Sequence, residues 1–176
     1  MDIEKSERKR IREALEIDFF IYDGLDGHHK HGGERVRYDL VLTPRQHLLD
    51  QGFDIGCVVV EVKLFNKEDK KKHDTKIRDL LWQCIAYSFS DVQMPNGKYE
   101  RPLFVLYFMA GTGFDEKHQD EFNKLHHFVQ RGGVGKLDIN PKTGWTMLFG
   151  GSYYFRQAAG KGPHHVGTKR QTGSSR

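Results

Sequence analysis

The sequence predicts an α/β fold in which a central mixed sheet is flanked by helices. Residues 35–43, RVRYDLVLT, alternate with the period of a strand. Residues 74–90 place apolar side chains at helical spacing. The run LFVLYFMA, which begins at Leu103, is apolar almost throughout, as is usual for a strand buried on both faces. Because strands and helices alternate along the chain, helices packed on a sheet are expected.

The first part of the chain is expected to contain a helix, a short apolar run and a strand. Residues 4–16 favour a helix, because Ile11, Ala14 and Leu15 fall on one side of it. The apolar run IDFFIYDG follows, and the glycine-rich stretch LDGHHKHGGE is expected to be a loop. The strand over 35–43 then presents two faces, one with Val36, Tyr38, Leu40 and Leu42 and the other with Arg37, Asp39, Val41 and Thr43.

The middle of the chain is expected to contain a strand, a charged turn and a helix. A loop from Pro44 to Gly56 leads to the apolar strand CVVVEVKLFN, residues 57–66. The turn NKEDKKKHD comes next, before the helix over 74–90. The apolar positions of that helix are Ile77, Leu80, Leu81, Cys84, Ile85 and Phe89.

The last part of the chain is expected to form a domain end and a tail. After the buried strand at Leu103, a helix is expected with Phe122, Leu125, Phe128 and Val129 inside. The segment KLDINPKTGWTMLF indicates a strand, a Pro/Gly turn and a strand. After Phe155 the chain is rich in Gly, Lys, Pro, His and Ser, which predicts disorder. The expected organisation is therefore one domain, 1–155, and a disordered basic tail, 156–176.

Composition bounds the class of protein. No apolar run is long enough to span a bilayer, and the charged N-terminus lacks the apolar centre of a signal peptide, so cytoplasmic residence without a membrane partner is expected. Cys57 and Cys84 lie in apolar stretches and are expected to be buried thiols. The net charge is +4, and the tail contains five basic and no acidic residues. Two interpretations of the tail stay open: a solvated terminus, or a flexible segment that contacts an anionic partner.

A glutamate and a lysine interrupt the apolar strand at residues 57–66. Glu61 and Lys63 are two residues apart, so they point to one face, and a charge inside a sheet costs free energy unless it is compensated. Antiparallel pairing with the preceding strand would bring Asp39 beside Glu61. Two carboxylates repel each other unless a cation lies between them, and oxygen ligands suit Mg²⁺ or Mn²⁺. The alternative is a solvent-facing Glu61–Lys63 pair on a one-sided sheet.

The segments YDLVL and VVVEVK resemble the catalytic motif of the PD-(D/E)XK nuclease superfamily, whose core is the restriction-endonuclease-like fold. The resemblance implies that Asp39, Glu61 and the backbone carbonyl of Val62 bind Mg²⁺ or Mn²⁺. It also implies that Lys63 is the catalytic lysine. Tyr38 stands where the motif has its proline. The order helix, strands, helix, strand is similar to the superfamily's core as well.

A second motif, QCIAY, lies in the helix over 74–90. Gln83 and Tyr87 are four residues apart and share a helical face beside the apolar stripe. The motif resembles the one that follows the catalytic lysine in the RecB-like and lambda-type exonuclease branch, where both residues help to hold the active site and DNA. An ordinary pair at the rim of the core is the alternative. The superfamily usually adds an acidic residue from the first helix; Glu7 is the candidate here, with Glu13 and Glu16 as alternatives.

Two further polar clusters have open roles. His28, His29 and His31 either bind a transition metal such as zinc or form a surface loop that contacts phosphates. A basic run follows the strand at residues 57–66 and is of the kind that tracks a DNA backbone, although two acidic residues dilute it. Its lysines are Lys67, Lys70, Lys71 and Lys72.

The resemblance therefore predicts a magnesium-dependent deoxyribonuclease whose products carry a 5′-phosphate and a 3′-hydroxyl. Exonuclease, resolvase and restriction-type endonuclease activity all stay open, and the motif with Gln83 and Tyr87 favours an exonuclease or a role in recombination. No sequence-reading domain is recognisable, so specificity is expected to come from the geometry of the DNA, from a homo-oligomer or from a partner protein. The alternative is a non-catalytic nucleic-acid-binding or assembly protein that has kept the fold. The presence of Asp39, Glu61 and Lys63 favours the enzyme.

Overall fold

The structure, a computed structural model, describes residues 3–65, 70–111, 124, 134–140, 144–149, 152–155 and 167–170. Its helices are α1 (Ile3–Leu15), α2 (Gln46–Leu49) and α3 (Lys70–Ser88). Its strands are β1 (Phe19–Asp23), β2 (Asp26–His29), β3 (Arg35–Arg37), β4 (Leu40–Pro44), β5 (Val58–Phe65), β6 (Ser90–Gln93), β7 (Tyr99–Glu100), β8 (Phe104–Gly111), β9 (Val134–Asn140), β10 (Gly144–Phe149), β11 (Ser152–Phe155) and β12 (Gly167–Arg170).

A mixed sheet of eight strands forms the centre of the described part of the molecule. The strand order is β1-β4-β5-β8-β9-β10-β11-β12. β5 pairs parallel with β8 and β8 with β9, while the other neighbours are antiparallel. The parallel pair β5–β8 requires a crossover connection, and α3 lies in that connection. The predicted α/β class, with a mixed sheet flanked by helices, is confirmed.

The two faces of this sheet are covered by different helices. One buried cluster contains Ile11 and Leu15 of α1 with Val60 of β5. The other contains the apolar face of α3 with Val59 and Phe65 of β5. Successive residues of β5 therefore face opposite helices, as the period of a strand requires. The buried thiols predicted at Cys57 and Cys84 are confirmed, since both are free and buried.

The prediction of one continuous strand over 35–43 is wrong, because these residues form two separate strands, β3 and β4. β3 belongs to a second sheet, β3-β2-β6-β7, whereas β4 belongs to the large one. Tyr38 and Asp39 form the bend between them, and the N–H of Tyr38 donates to the carbonyl of Leu25. The alternation slips at this bend, because Tyr38 packs under α3 while Leu40 packs under α1. The two halves separate because each finds different backbone partners.

The stretch LDGHHKHGGE was expected to be a loop, and this prediction is wrong for Asp26–His29, which form β2. β2 has ladder partners on both sides, β3 and β6. A Cβ at Gly27 would collide with the Asp91 carbonyl and the Tyr38 ring, so the glycine permits this close pairing. The glycine-rich composition indicates a loop because glycine is common in turns. Here Gly27 instead allows two neighbouring strands to approach each other closely.

The charged turn predicted after β5 is wrong from Lys70 onward, since α3 begins there rather than at 74. His73 is buried, and its ring packs edge-on against Phe65 at a centroid distance of 5.4 Å. The first turn of α3 has little apolar periodicity in its sequence, and it is stabilised by the packing of His73 against Phe65. The predicted loop after Pro44 also contains the single turn α2.

Several predictions fall wholly or partly outside the described residues. Of the expected helix with Phe122 and Phe128, only Lys124 is described, and it is helical. Of the expected tail, 156–176, only β12 is described, and it pairs antiparallel with β11. Among the described helices, none is long and apolar enough to cross a membrane.

Candidate active site

A pocket of about 370 Å³ lies where β4 stops pairing with β5. The β4–β5 ladder ends at the Leu40–Val60 pair, whereas β5 continues to Phe65. The edge of β5 that faces β4 is therefore without a β4 partner beyond Val60. The pocket is lined by Arg8, Arg37, Asp39, Glu61, Val62, Lys63, Leu64, Lys76, Gln83 and Tyr87. All of the catalytic residues predicted from the sequence line it.

Asp39 takes the place of a ladder partner at this edge. Its Oδ2 accepts a hydrogen bond from the backbone N–H of Val62 at 2.9 Å, and its Oδ1 accepts one from Arg8 Nη2 at 2.9 Å. The N–H and C=O of one strand residue point to the same side. The carbonyl of Val62 therefore also lies on the edge beside Asp39, as a metal ligand there would require.

Glu61 is buried on the α3 side of β5, with 3% of its surface exposed. Its Oε1 lies 2.7 Å from Lys63 Nζ, and its Oε2 lies 3.0 Å from the Tyr87 hydroxyl. Burial, and then the negative charge of Asp39, raise the pKa of Glu61, while Lys63 and the Tyr87 hydrogen bond oppose this rise. A carboxylate in these surroundings gains from any further cation that binds beside it.

Tyr87 connects the two sheets at the pocket. Its hydroxyl lies 3.0 Å from the carbonyl of Arg37 and 3.0 Å from Glu61 Oε2, and it donates its one proton to one of them at a time. Its ring was expected beside the apolar stripe of α3, but it is buried within the core, 4.8 Å from the Tyr38 ring. Burial, followed by the charge of Glu61, raises the pKa of Tyr87, so the hydroxyl stays neutral and can donate.

Gln83 reaches the same pocket one helical turn before Tyr87. Its Oε1 is buried and has no hydrogen-bond partner in the described part of the chain. Buried polar atoms are nearly always hydrogen-bonded in native proteins. The orphaned oxygen therefore indicates that the pocket is built to hold a polar group.

Three cationic residues of the pocket were not foreseen as site residues: Arg8, Arg37 and Lys76. Together with Lys63 they give four cations against two carboxylates, which favours an anionic ligand. A signal for Arg8 was available, because it precedes Ile11 by three residues and Leu15 by seven and so shares their helical face. Arg37 and Lys76 carried no such signal.

The acidic residue expected from the first helix does not line the pocket. Glu7 lies 2.8 Å from Arg10, and the alternative Glu13 pairs with Lys9 at the surface. The helix contributes Arg8 instead. Glu7 is thus placed beside a cation of its own helix rather than in the lining of the pocket.

The histidines of the glycine-rich stretch are not part of the pocket lining. His29 Nδ1 is 3.4 Å from the N–H of His31, and neither residue lines the pocket. Lys70 and Lys71 begin α3, while Lys67 lies outside the described residues. No group of three or more His, Cys, Asp or Glu side chains in the described ranges is arranged to hold a metal ion.

The pocket nevertheless fits the ligand requirements of magnesium. Mg²⁺ is usually bound through one or two carboxylates together with substrate phosphates and waters, rather than by an all-protein cage. Asp39, Glu61 and the carbonyl of Val62 supply such a donor set, and the orphaned oxygen of Gln83 can accept a hydrogen bond from a water.

Comparisons with protein-family models, with curated proteins and with solved structures find no match to this chain. The chemistry of the pocket is therefore the basis on which its function is inferred.

Proposed function

We propose that the protein is a metal-dependent deoxyribonuclease with a restriction-endonuclease-like core. The observation that carries the proposal is the convergence of Asp39, Glu61, Lys63, Gln83 and Tyr87 on one pocket. These residues come from the bend before β4, from β5 and from α3. They are the residues to which the resemblance assigns catalysis.

The order of elements around the pocket supports the proposal. A helix, antiparallel strands, the strand that bears Glu61 and Lys63, a crossover helix and a parallel strand follow one another as α1, β1, β4, β5, α3 and β8. This is the order expected from the resemblance. β2 and β3 are inserted between β1 and β4, α2 between β4 and β5, and β6 and β7 between α3 and β8, while the strands after β8 extend the sheet.

The proposed chemistry is hydrolysis of a phosphodiester bond. Asp39, Glu61 and the Val62 carbonyl would hold one or two Mg²⁺ ions. The chemistry that magnesium supplies at such sites is a lowered pKa of its water and neutralisation of charge on the phosphate. Lys63, whose Nζ lies 2.7 Å from Glu61 Oε1, would orient the attacking water in line with the scissile bond. The cationic walls of the pocket favour entry of the phosphate and stabilise charge that develops on it.

The partner, the compartment, the products and the biological role are part of the same proposal. DNA is the partner, the cytoplasm is the compartment, and cleavage leaves a 5′-phosphate and a 3′-hydroxyl. The placement of Gln83 and Tyr87 in the pocket favours the exonuclease branch and a role in DNA recombination or repair.

The direct test is degradation of single- and double-stranded DNA by the purified protein in Mg²⁺, Mn²⁺, Ca²⁺ or EDTA. We expect cleavage in Mg²⁺ and Mn²⁺, and little in Ca²⁺, whose looser geometry positions water poorly. Glu61→Gln should remove the activity, whereas Glu34→Gln, at an exposed position, should keep it. Cleavage that persists in EDTA, or in Glu61→Gln at the wild-type rate, would contradict the proposal.

One observation favours a second candidate, a non-catalytic nucleic-acid-binding protein. Both oxygens of Asp39 already have protein partners, Arg8 and Val62, so this carboxylate is satisfied without a metal. The same assay distinguishes the two, because the second candidate binds DNA and cleaves none of it in any of the metals.

A further inference from the structure

Arg8 pairs with the oxygen of Asp39 that the Val62 N–H does not use. Its Nη2 lies 2.9 Å from Oδ1, while Oδ2 is held by the backbone of Val62. The two side chains are 32% and 24% exposed, so the ion pair is only partly shielded from solvent. A guanidinium in this position repels a divalent cation that approaches the same oxygen. Metal binding to Asp39 therefore requires Arg8 to move away or to find another anion.

A phosphate is the anion that best offers Arg8 a second partner. The guanidinium is planar and forms paired hydrogen bonds with phosphate oxygens as readily as with a carboxylate. Arg8 also lines the pocket in which the cationic residues Arg37, Lys63 and Lys76 favour an anion. Its helix is anchored by the buried side chains of Ile11 and Leu15, so the long side chain can turn while the backbone stays in place.

We propose that Arg8 is exchanged between Asp39 and a phosphate of the DNA backbone, which couples cation binding to DNA binding at this site. The inference rests on the proposed function. In the free protein Arg8 neutralises Asp39 and weakens its affinity for cations. In the complex Arg8 binds the phosphate and leaves Oδ1 to the cation.

Coupling of this kind is reciprocal. If DNA raises the affinity for the cation by a given factor, the cation raises the affinity for DNA by the same factor. Removal of Arg8 should therefore have two effects with one cause. Cation binding in the absence of DNA should tighten, and the enhancement of DNA binding by the cation should shrink.

Calcium is the probe for the test, because it is expected to bind without supporting much cleavage. Calorimetry measures Ca²⁺ affinity without DNA, and fluorescence anisotropy of a labelled oligonucleotide measures DNA affinity in EDTA and in saturating Ca²⁺. In the wild type we expect Ca²⁺ to tighten DNA binding about tenfold. In Arg8→Ala, Ca²⁺ should bind several-fold more tightly without DNA, and its effect on DNA affinity should fall below about threefold.

The matched control is Arg12→Ala, which removes an arginine of the same helix that pairs with Asp23 outside the pocket. It should behave as the wild type in both measurements. Arg8→Lys keeps the charge without the planar fork; it should keep Ca²⁺ binding weak and lose part of the coupling. It also serves as the test variant if Arg8→Ala does not fold, as judged by its melting curve.

Two outcomes would overturn the inference while leaving the proposed function intact. Ca²⁺ affinity in Arg8→Ala equal to the wild-type value is one. Equal losses of Ca²⁺ affinity with and without DNA, as a merely structural role would cause, are the other. If Asp39→Asn also leaves Ca²⁺ binding unchanged, the metal site itself is wrong and the proposed function fails with it.

Discussion

Two buried carboxylates lie on opposite faces of the large sheet. Asp18 is fully buried on the α1 side, where Oδ2 accepts from Trp145 Nε1 at 2.7 Å and Oδ1 lies 2.9 Å from His47 Nε2. Glu61 is buried on the α3 side, where its oxygens contact Lys63 and Tyr87. By exposure alone the two acids are alike.

Their surroundings differ in ways that indicate different roles. Asp18 lies in the turn between α1 and β1, contacts β10 through Trp145 and does not line the pocket. Glu61 opens on the pocket, and its neighbour Asp39 is a second carboxylate that helps to raise its pKa. Gln83, whose buried oxygen has no hydrogen-bond partner in the described part of the chain, lines the same pocket. A buried acid whose partners are complete holds the fold together, whereas one beside a like charge and an open cavity is placed for a ligand.

The sharpest contrast is expected in cleavage. Asp39→Asn keeps an oxygen for the Val62 N–H but loses the charge that would hold the metal. Since metal assistance is worth several kcal/mol, the single-turnover rate should fall about a thousandfold. Asp18→Asn, assayed well below its melting temperature, should stay within about threefold of the wild type, because surroundings far from the reacting atoms change little. Equal losses in both variants would remove the distinction between the carboxylates of the pocket and Asp18.

The main effect of Asp18 is expected on stability rather than on cleavage. Asp18→Ala leaves the buried indole N–H of Trp145 without its acceptor and His47 without its partner, and should lower the free energy of unfolding by about 3 kcal/mol. Asp50→Ala, an exposed change nearby in sequence, should cost less than about 0.5 kcal/mol. Urea unfolding of the three proteins measures both values. A loss of less than about 1 kcal/mol in Asp18→Ala would argue against the structural role.

Gln83 and Tyr87 test whether the α3 side of the pocket serves catalysis. Gln83→Ala and Tyr87→Phe should each slow single-turnover cleavage about ten- to a hundredfold, as is usual for groups that orient metal ligands. Each should cost about 1 kcal/mol of stability or less. Rates and melting temperatures are measured on the same samples. Unchanged rates with lowered melting temperatures would make the pair structural and would remove the support for the exonuclease branch.

The smallest effect is expected in the pH dependence of stability. The pKa of Glu61 lies above its ordinary value of 4.5 in the folded protein, because of burial and the charge of Asp39. As the pH rises, Glu61 therefore loses its proton in the unfolded chain before it does so in the folded protein. The stabilisation that Glu61 contributes is complete below pH 4.5 and is lost as the pH rises through the pKa of the folded state. In EDTA, the melting temperature of Glu61→Gln relative to the wild type should rise from pH 4.5 toward neutrality. A difference that is constant with pH would show that the pKa of Glu61 is not raised in the folded protein.

Much of the site could be predicted from the sequence, because the placement of its side chains depends on the local periodicity of strands and helices. Strand alternation places Glu61 and Lys63 on one face, together with the buried Val59 and Phe65, as expected. The four-residue spacing of Gln83 and Tyr87 brings both to one pocket. The continuous apolar strands indicated a buried sheet between helices, and that class is confirmed. These features follow from the geometry of a single strand or helix, which the order of residues dictates directly.

Tertiary structure alone decided what surrounds these residues. The break between β3 and β4 arises because the two strands pair in different sheets. The alternation of side chains in the sequence continues through the bend at Asp39, so it gives no sign of the break. Arg8 meets Asp39 across 31 positions of the chain, and Arg37 reaches the pocket from the second sheet. Such contacts depend on how separate elements pack against one another, which no local pattern of residues encodes.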